Sequence, residues 1–219
     1  MTTEQLIQLI TAGTIETLYM TFASVLFSYI FGLPLGVVLV TTAKNGITPM
    51  PKLNRVLGTI VNIVRSVPFL ILIIVLIPFT RFVVGTTIGS NATIVSLVVA
   101  AVPFIGRMVE SSLLEIDHGV VEAAQSMGAS PMQIITKVMI PEAIPSLITG
   151  AAIAATTILG YSAMAGAVGG GGLGAIAIRY GFHRYETAIL MLTLVILVLL
   201  VQLIQFAGDC MARKTDHRK

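Results

Sequence analysis

The sequence predicts an all-α integral membrane protein with five transmembrane helices. Hydrophobic residues make up 56% of the 219 residues and charged residues only 11%, whereas soluble domains carry about 25% charged residues. The mean hydropathy is +0.97. Five stretches approach the roughly 20 apolar residues that a helix needs to cross a bilayer: residues 15–40, 56–79, 91–108, 144–167 and 188–206. We expect one transmembrane domain over residues 1–219.

The distribution of Lys and Arg predicts the orientation, because cytoplasmic loops are enriched in these residues. Nine fall on the side of the first loop: Lys44, Lys52, Arg55, Arg107, Lys137, Arg213, Lys214, Arg218 and Lys219. Three fall on the other side: Arg81, Arg179 and Arg184. The N-terminus is therefore predicted outside and the C-terminus in the cytoplasm. The net charge of +3 is explained by the cytoplasmic Lys and Arg residues, which lie near anionic lipid, and not by binding of nucleic acid.

The first two predicted spans contain polar residues that need a role. Hydroxyl side chains in the first span favour helix–helix packing over a water-lined path. The second span carries Arg65, Ser66, Val67 and Pro68 in its cytoplasmic half. Because a charge within a span is costly, we expect Arg65 to have a structural or gating role, although it is also able to snorkel to the headgroups.

A polar loop at residues 119–141, which we call the coupling loop, follows the third span. Ser130, Pro131 and Gln133 form a capping-box pattern with proline at the first helical position. We expect one short helix to end near Ala129 and a second to run from Pro131 to about residue 140. Pro141 should then turn the chain, since proline removes a backbone donor. A pair this short needs a partner for its apolar faces: Val121, Ala124 and Gly128 on the first helix, and Met132, Ile135 and Met139 on the second.

The coupling loop also carries a family signature. Glu122-Ala123-Ala124, Gly128 and Pro141 have the spacing of the cytoplasmic loop of bacterial ABC importer permeases, which the loop resembles. Val138 and Ile140 replace the family's Ile and Leu. The resemblance implies docking to a separate ATPase through Glu122, Ala123, Ala124, Gly128, Met132, Val138, Ile140 and Pro141. The alternative is an ordinary amphipathic loop between two spans.

The fourth span and the glycines after it are the candidate path and gate. Tyr161, Ser162 and Met164 are predicted to line the path, with Met164 either closing a gate and contacting a thioether substrate or filling a packing gap. The glycine run 169–174, with Gly169, Gly171 and Gly174, formally matches a dinucleotide motif but lacks the βαβ context. We expect instead a flexible outer loop or a short re-entrant turn. Residues 179–186 form either a solvated face or a docking site for an extracytoplasmic binding protein.

Several chemistries have no sequence support. There is no P-loop motif to bind ATP phosphates, and no nucleophile, base or metal set stands out. Cys210 is the only cysteine. We therefore expect no catalytic residue, metal site or cofactor in this chain. Uphill transport would draw its energy from another subunit.

Taken over its whole length, the chain resembles the permease subunits of bacterial methionine ABC importers. The resemblance rests on five spans, the coupling loop, LGYSAMAGAVGGGGLG, IRYGFHRYE and LIQFAGD. It implies two permease copies in the cytoplasmic membrane, two ATPase subunits that bind ATP and Mg, and an extracytoplasmic methionine-binding lipoprotein. It also implies alternating access for L- or D-methionine. The alternatives are an importer of a polar amino acid, osmolyte or phosphonate, an energy-independent channel or secondary carrier, and a structural membrane anchor.

Overall fold

A computed structural model describes residues 2–215, which are almost entirely helical. Ten α-helices follow in order: α1 Thr3–Thr41, α2 Pro51–Ser66, α3 Phe69–Val75, α4 Ile77–Val84, α5 Ser90–Leu114, α6 His118–Ser126, α7 Pro131–Ile134, α8 Ile140–Ala165, α9 Gly172–Ile176 and α10 Thr187–Thr215. Two π-helical stretches, Ile135–Met139 and Ala177–Phe182, and a 3₁₀ turn, Gly166–Val168, continue these helices. Arg218 and Lys219, which enter the charge count, lie outside the described residues.

The core lies between α1, α5 and α8. Leu97, Ile105 and Ile158 are fully buried there. Two glycines let α1 approach α5 closely: a Cβ on Gly32 would lie 2.7 Å from Ile105, and one on Gly36 would lie 2.6 Å from a backbone oxygen of α5. The hydroxyl residues of α1 face this core, since Thr17, Thr21, Ser24 and Ser28 are all at most 1% exposed. Their burial supports packing over a water-lined path.

The second predicted span is broken, which corrects the continuous helix expected over residues 56–79. The axes of α2 and α3 differ by 102°. Val67 is extended and Pro68 follows it, because the residue before a proline is disfavoured in helix. Thr80 on α4 then contacts Ser96 on α5 through their hydroxyls (3.4 Å). The chain therefore reaches α5 in short segments.

The predicted turn at Pro141 is also wrong. Residues 135–139 are π-helical, and the amide of Ile140 donates to the carbonyl of Ile135, five residues earlier. In a regular α-helix the proline ring would clash with the carbonyl four residues before it, whereas the wider π turn displaces that carbonyl. Pro141 then occupies the first turn of α8, where it needs no backbone donor. The coupling loop is thus continuous with α8.

Helix α10, the last helix, leaves most of its surface exposed. Only Ile189, Thr193 and Gly208 are buried on it, and Gly208 closely approaches Ala152 of α8. Among residues 2–215, four helical stretches are long and apolar enough to cross a membrane, or five if α2 and α3 form one bent span. This agrees with a multi-pass membrane protein. The five predicted spans are therefore matched by four stretches and one bent pair.

Candidate functional site

The first half of the coupling loop is the helix α6, which is capped at both ends. The side chain of Asp117 accepts a hydrogen bond from the amide of Gly119 (2.6 Å) at the N-terminus. At the C-terminus the amide of Gly128 donates to Gln125, and that of Ala129 donates to Ala124. These two bonds form a Schellman motif, in which glycine takes the left-handed position. Gly128 has φ +77°, which explains glycine here.

Helix α6 ends at Ser126, three residues before the predicted end near Ala129, because the cap starts before its glycine. The second half of the coupling loop begins as predicted. Ser130 accepts from the amide of Gln133, and the Gln133 side chain accepts from the amide of Ser130 (2.8 Å). Pro131 takes the first helical position. The capping box is confirmed.

One face of the coupling loop packs against the rest of the chain. Ala124 is 4% exposed, Ile134 2% and Met139 5%, and all three join the core that includes Leu113 and Ile116 at the end of α5. Val121 packs partly against the same core. The coupling loop therefore packs into the core of this chain before it continues into α8.

The opposite face is exposed, and it corrects two predictions. Glu122 and Ala123 are exposed, as are Met127 (81%) and Met132 (66%). Met132 does not share a face with Met139 as predicted, because Ile134 takes the inward position in the short helix α7. Its predicted contact with the ATPase stays a prediction. Ala124 is covered by this chain, so it has no surface with which to contact a partner directly.

The remaining signature residues lie at the junction with α8. Val138 and Ile140 are half-buried and Pro141 is exposed. Together with the π-helical stretch they set the direction in which α8 leaves the coupling loop. Their place in the structure is a helix junction, whereas Glu122, Ala123 and Gly128 lie on the exposed part.

The candidate path residues do not share one surface. The Tyr161 ring stacks on Phe69 of α3, with centroids 4.7 Å apart and planes within 4°. Met164 is 50% exposed. Ser162 is 1% exposed and donates to the carbonyl of Leu159 (2.8 Å), because it faces the interior of the fold. Ser162 is therefore enclosed by this chain, and its predicted role in lining the path stays a prediction. Arg65 is exposed near the end of α2.

The glycine run forms a packed turn, which agrees with the turn and not with the flexible loop among the two expected alternatives. The amide of Gly89 donates to the carbonyl of Gly169 (2.9 Å), and Gly169 and Gly171 have φ of +86° and +88°. Gly174 is buried, and a Cβ there would overlap the backbone carbonyl of Ala163. The chain turns back at these glycines and continues as α9, which lies against the C-terminal part of α8.

Sequence reasoning passed over two α1 residues beside this turn. The amide of Gly172 donates to Oε2 of Glu16 (2.8 Å), and the amide of Leu173 donates to Oγ1 of Thr17 (2.9 Å). A lone carboxylate beside the start of an apolar span was the only available signal. The glycine that Glu16 bonds, Gly172, is 156 residues away, so no local pattern links the two.

Arg107 and Glu110, three residues apart on α5, form an ion pair. Arg107 Nη1 lies 2.6 Å from Glu110 Oε2. Arg107 Nη2 also donates to the carbonyl of Gly58 (3.2 Å) and to Oδ1 of Asn62 (3.0 Å). These bonds to α2 were not foreseen, and they tie the first half of the bent pair to α5.

Known proteins resemble this chain along nearly its whole length. A probable D-methionine transport system permease of Vibrio cholerae is 53% identical over 210 residues, which cover 96% of this chain and 93% of the relative. A probable D-methionine transport system permease of Pasteurella multocida is 50% identical, covering 99% of this chain and all of the relative.

Solved structures give the same picture. A chain of the MetNI methionine ABC transporter, crystallised in inward-facing conformations, is 51% identical with a TM-score of 0.97, covering 99% of this chain and 100% of that one. An amino acid ABC transporter chain at 20% identity and a TM-score of 0.78 shares the fold, covering 96% of this chain and 95% of that chain.

The family described as "Binding-protein-dependent transport system inner membrane component" matches residues 32–218. This match includes the coupling loop, the glycine run and α10. The chain therefore belongs to the family of inner membrane components of binding-protein-dependent transport systems, and it is a transporter subunit of the inner membrane.

Proposed function

We propose that this chain is the permease subunit of a methionine ABC importer, and that it moves L- or D-methionine across the bacterial cytoplasmic membrane by alternating access. One observation carries the proposal. The chain matches a chain of a methionine ABC transporter at 51% identity and a TM-score of 0.97 over nearly its full length. The bent pair α2–α3 counts as one of five spans, with the N-terminus outside and the C-terminus inside.

The coupling loop receives the movement of a separate ATPase. Its exposed residues Glu122, Ala123 and Met127 form the contact surface, and its buried residues Ala124 and Met139 hold it against α5. Because residues 131–165 are helical without interruption, a displacement of this surface moves α8 as well. The movement requires a contact whose free energy differs between two states, and we assign that difference to Glu122.

The path lies beside the outer half of α8, between two copies of the permease. Tyr161 is held by its ring stack on Phe69, while Met164 is half exposed and moves with the end of α8. A methionine side chain adapts to irregular surfaces and makes favourable sulfur contacts. Met164 therefore serves as the gate that closes on the substrate, and Arg65 lies at the bend of the second span.

The full transporter contains two permease copies, two ATPase subunits and an extracytoplasmic methionine-binding lipoprotein. The ATPase subunits bind ATP and Mg. The binding protein docks on the outer segment after α9, where Arg184 lies over the ring of Tyr180 (4.7 Å) and leaves a charged, exposed surface. Membrane lipid covers the open face of α10.

Uptake by proteoliposomes tests the proposal. Vesicles that contain the permease, its ATPase and its binding protein should accumulate labelled methionine only when ATP is supplied to the ATPase side. Vesicles with the permease alone should show no flux. Flux without the ATPase would instead indicate a channel or secondary carrier, and no change in cellular uptake after deletion would indicate a structural anchor.

Competition in the same vesicles tests the substrate. Unlabelled L- and D-methionine should compete with the label, while a polar amino acid, an osmolyte and a phosphonate should not. ATP-dependent uptake of one of those solutes in place of methionine would leave the importer class intact and contradict the methionine assignment.

A further inference from the structure

The short helix α9 is capped by side chains of α1. The first amides of a helix have no partner within the helix. Here the amide of Gly172 donates to Oε2 of Glu16 (2.8 Å), and the amide of Leu173 donates to Oγ1 of Thr17 (2.9 Å). A carboxylate at this end also interacts favourably with the helix dipole. Neighbouring residues of α1 therefore supply both acceptors.

The other limb of the same turn is held by α5. The amide of Gly89 donates to the carbonyl of Gly169 (2.9 Å). The hydroxyl of Thr93 donates to the carbonyl of Gly170 (3.2 Å). The glycine turn at residues 169–172 is thus fixed from two sides, by α1 and by the first turn of α5.

The contact with α1 depends on the absence of side chains in the turn. A Cβ on Gly171 would lie 3.0 Å from Oε2 of Glu16, and one on Gly172 would lie 2.6 Å from Oγ1 of Thr17. Both glycines have positive φ, +88° and +69°. The two α1 side chains lie this close to the backbone of the turn because residues 171 and 172 are glycine.

The turn directly follows the part of α8 that carries the gate. Met164 lies two residues before the 3₁₀ turn Gly166–Val168, which leads into residues 169–172. The outer end of α8 has no flexible linker between Met164 and the turn. Holding the turn against α1 therefore holds the gate in one position.

We propose that Glu16 and Thr17 are positioning residues that latch the glycine turn while the outer gate is closed, and that outward opening breaks both of their hydrogen bonds to α9. The inference rests on the proposed function. We assign the structure to the state with the outer gate closed, because this chain matches the chain of a transporter in inward-facing conformations with a TM-score of 0.97.

Cysteine labelling at the gate tests the latch. Met164→Cys is introduced with Cys210→Ser, and the permease–ATPase complex is reconstituted without nucleotide. A membrane-impermeant maleimide then reacts from the outer side. Glu16→Ala and Thr17→Val should each raise the labelling rate about tenfold, the factor that corresponds to about 1.4 kcal/mol. Glu16→Gln keeps an oxygen acceptor and should give an intermediate rate.

Two controls separate the latch from general damage to α1. Thr14→Val removes a bond to the carbonyl of Ile10 (2.8 Å), which matches the intrahelical bond that Thr17 makes to Gly13, but it breaks no bond to α9. Glu4→Gln removes another charge of α1. Both controls should label at the parent rate. With the ATPase held in its ATP-bound state, all variants should label equally fast, because the gate is then open in each.

The outcomes are distinct. Labelling of Glu16→Ala and Thr17→Val within twofold of the parent overturns the latch, as does an equal rise in Thr14→Val. If Glu16→Ala fails to assemble, Thr17→Val decides, since it leaves the carboxylate in place. Methionine uptake by the complex with Met164 unchanged is measured in parallel, so failure of the proposed function is seen separately from failure of the latch.

Discussion

Gly128 offers a direct test of how the coupling loop keeps its shape. The residue has φ +77°, and a Cβ on it would meet nothing within 4 Å. The cost of a side chain is therefore one of backbone conformation, about 1–2 kcal/mol for an ordinary L-residue in the left-handed region. Gly128→Ala should weaken the Schellman cap of α6 by about this amount, a factor of roughly 5 to 30 in the population of the capped conformation.

A comparison of two variants distinguishes this reason from a steric one. Asparagine tolerates the left-handed conformation better than alanine, although it is larger. If the cap matters, methionine uptake should fall in the order Gly, Asn, Ala, with Gly128→Leu the weakest and membrane insertion unchanged in all. If Gly128 instead provides room for the ATPase, alanine should transport better than asparagine.

The assay is ATP-driven methionine uptake per ATP hydrolysed, in proteoliposomes with equal amounts of inserted permease. Equal uptake by all four proteins would show that neither the cap nor the space at Gly128 contributes to coupling. Alanine above asparagine would refute the backbone argument and leave a close contact with the partner as the explanation.

Three further substitutions test packing and capping. Ser130→Ala should remove the capping box and cost about 1 kcal/mol, seen as roughly fivefold faster amide exchange in α7. Arg107→Met should leave Glu110 without its ion pair and detach α2 from α5, lowering the thermal denaturation midpoint by an amount that reflects about 1–3 kcal/mol. Gly174→Ala should overlap the carbonyl of Ala163, cost about 3 kcal/mol and reduce the yield of monodisperse protein.

Matched controls exist for each substitution. Ser126→Ala removes a hydroxyl that bonds within α6 and should leave exchange in α7 unchanged. Arg55→Met removes an exposed charge of α2 and should leave the midpoint unchanged. Gly160→Ala places a Cβ where nothing lies within 4 Å and should keep a normal yield. A control that behaves like its partner variant would contradict the corresponding argument.

Local features of the fold were predictable from the sequence. The Ser130–Gln133 capping box and the Arg107–Glu110 pair each depend on residues three apart, so the sequence alone places them together. The long helices were predictable because each depends on a continuous stretch of apolar residues that the sequence shows directly. Pro68 was a signal for the bend of the second span, but the apolar stretch that continues after it to Phe79 favoured one helix over residues 56–79.

Features that depend on distant contacts were not predictable. A helical pattern shows that Ala124 lies on an apolar face, but it does not show whether this chain or a partner covers that face. Pro141 was expected to end a helix because the π turn that accommodates it leaves no local signature. Glu16 and Gly172 come together only through packing of α1 against α9.

Crosslinking from the coupling loop tests the central claim most directly, that a separate ATPase moves this permease through its exposed surface. In a Cys210→Ser background, a photo-reactive maleimide attached at Ala123→Cys should crosslink to the ATPase in native membranes. Ala124→Cys, whose position is 4% exposed, should give only background. Crosslinks from Ala123→Cys to lipid or to proteins of the outer compartment, with none to a nucleotide-hydrolysing partner, would contradict the account.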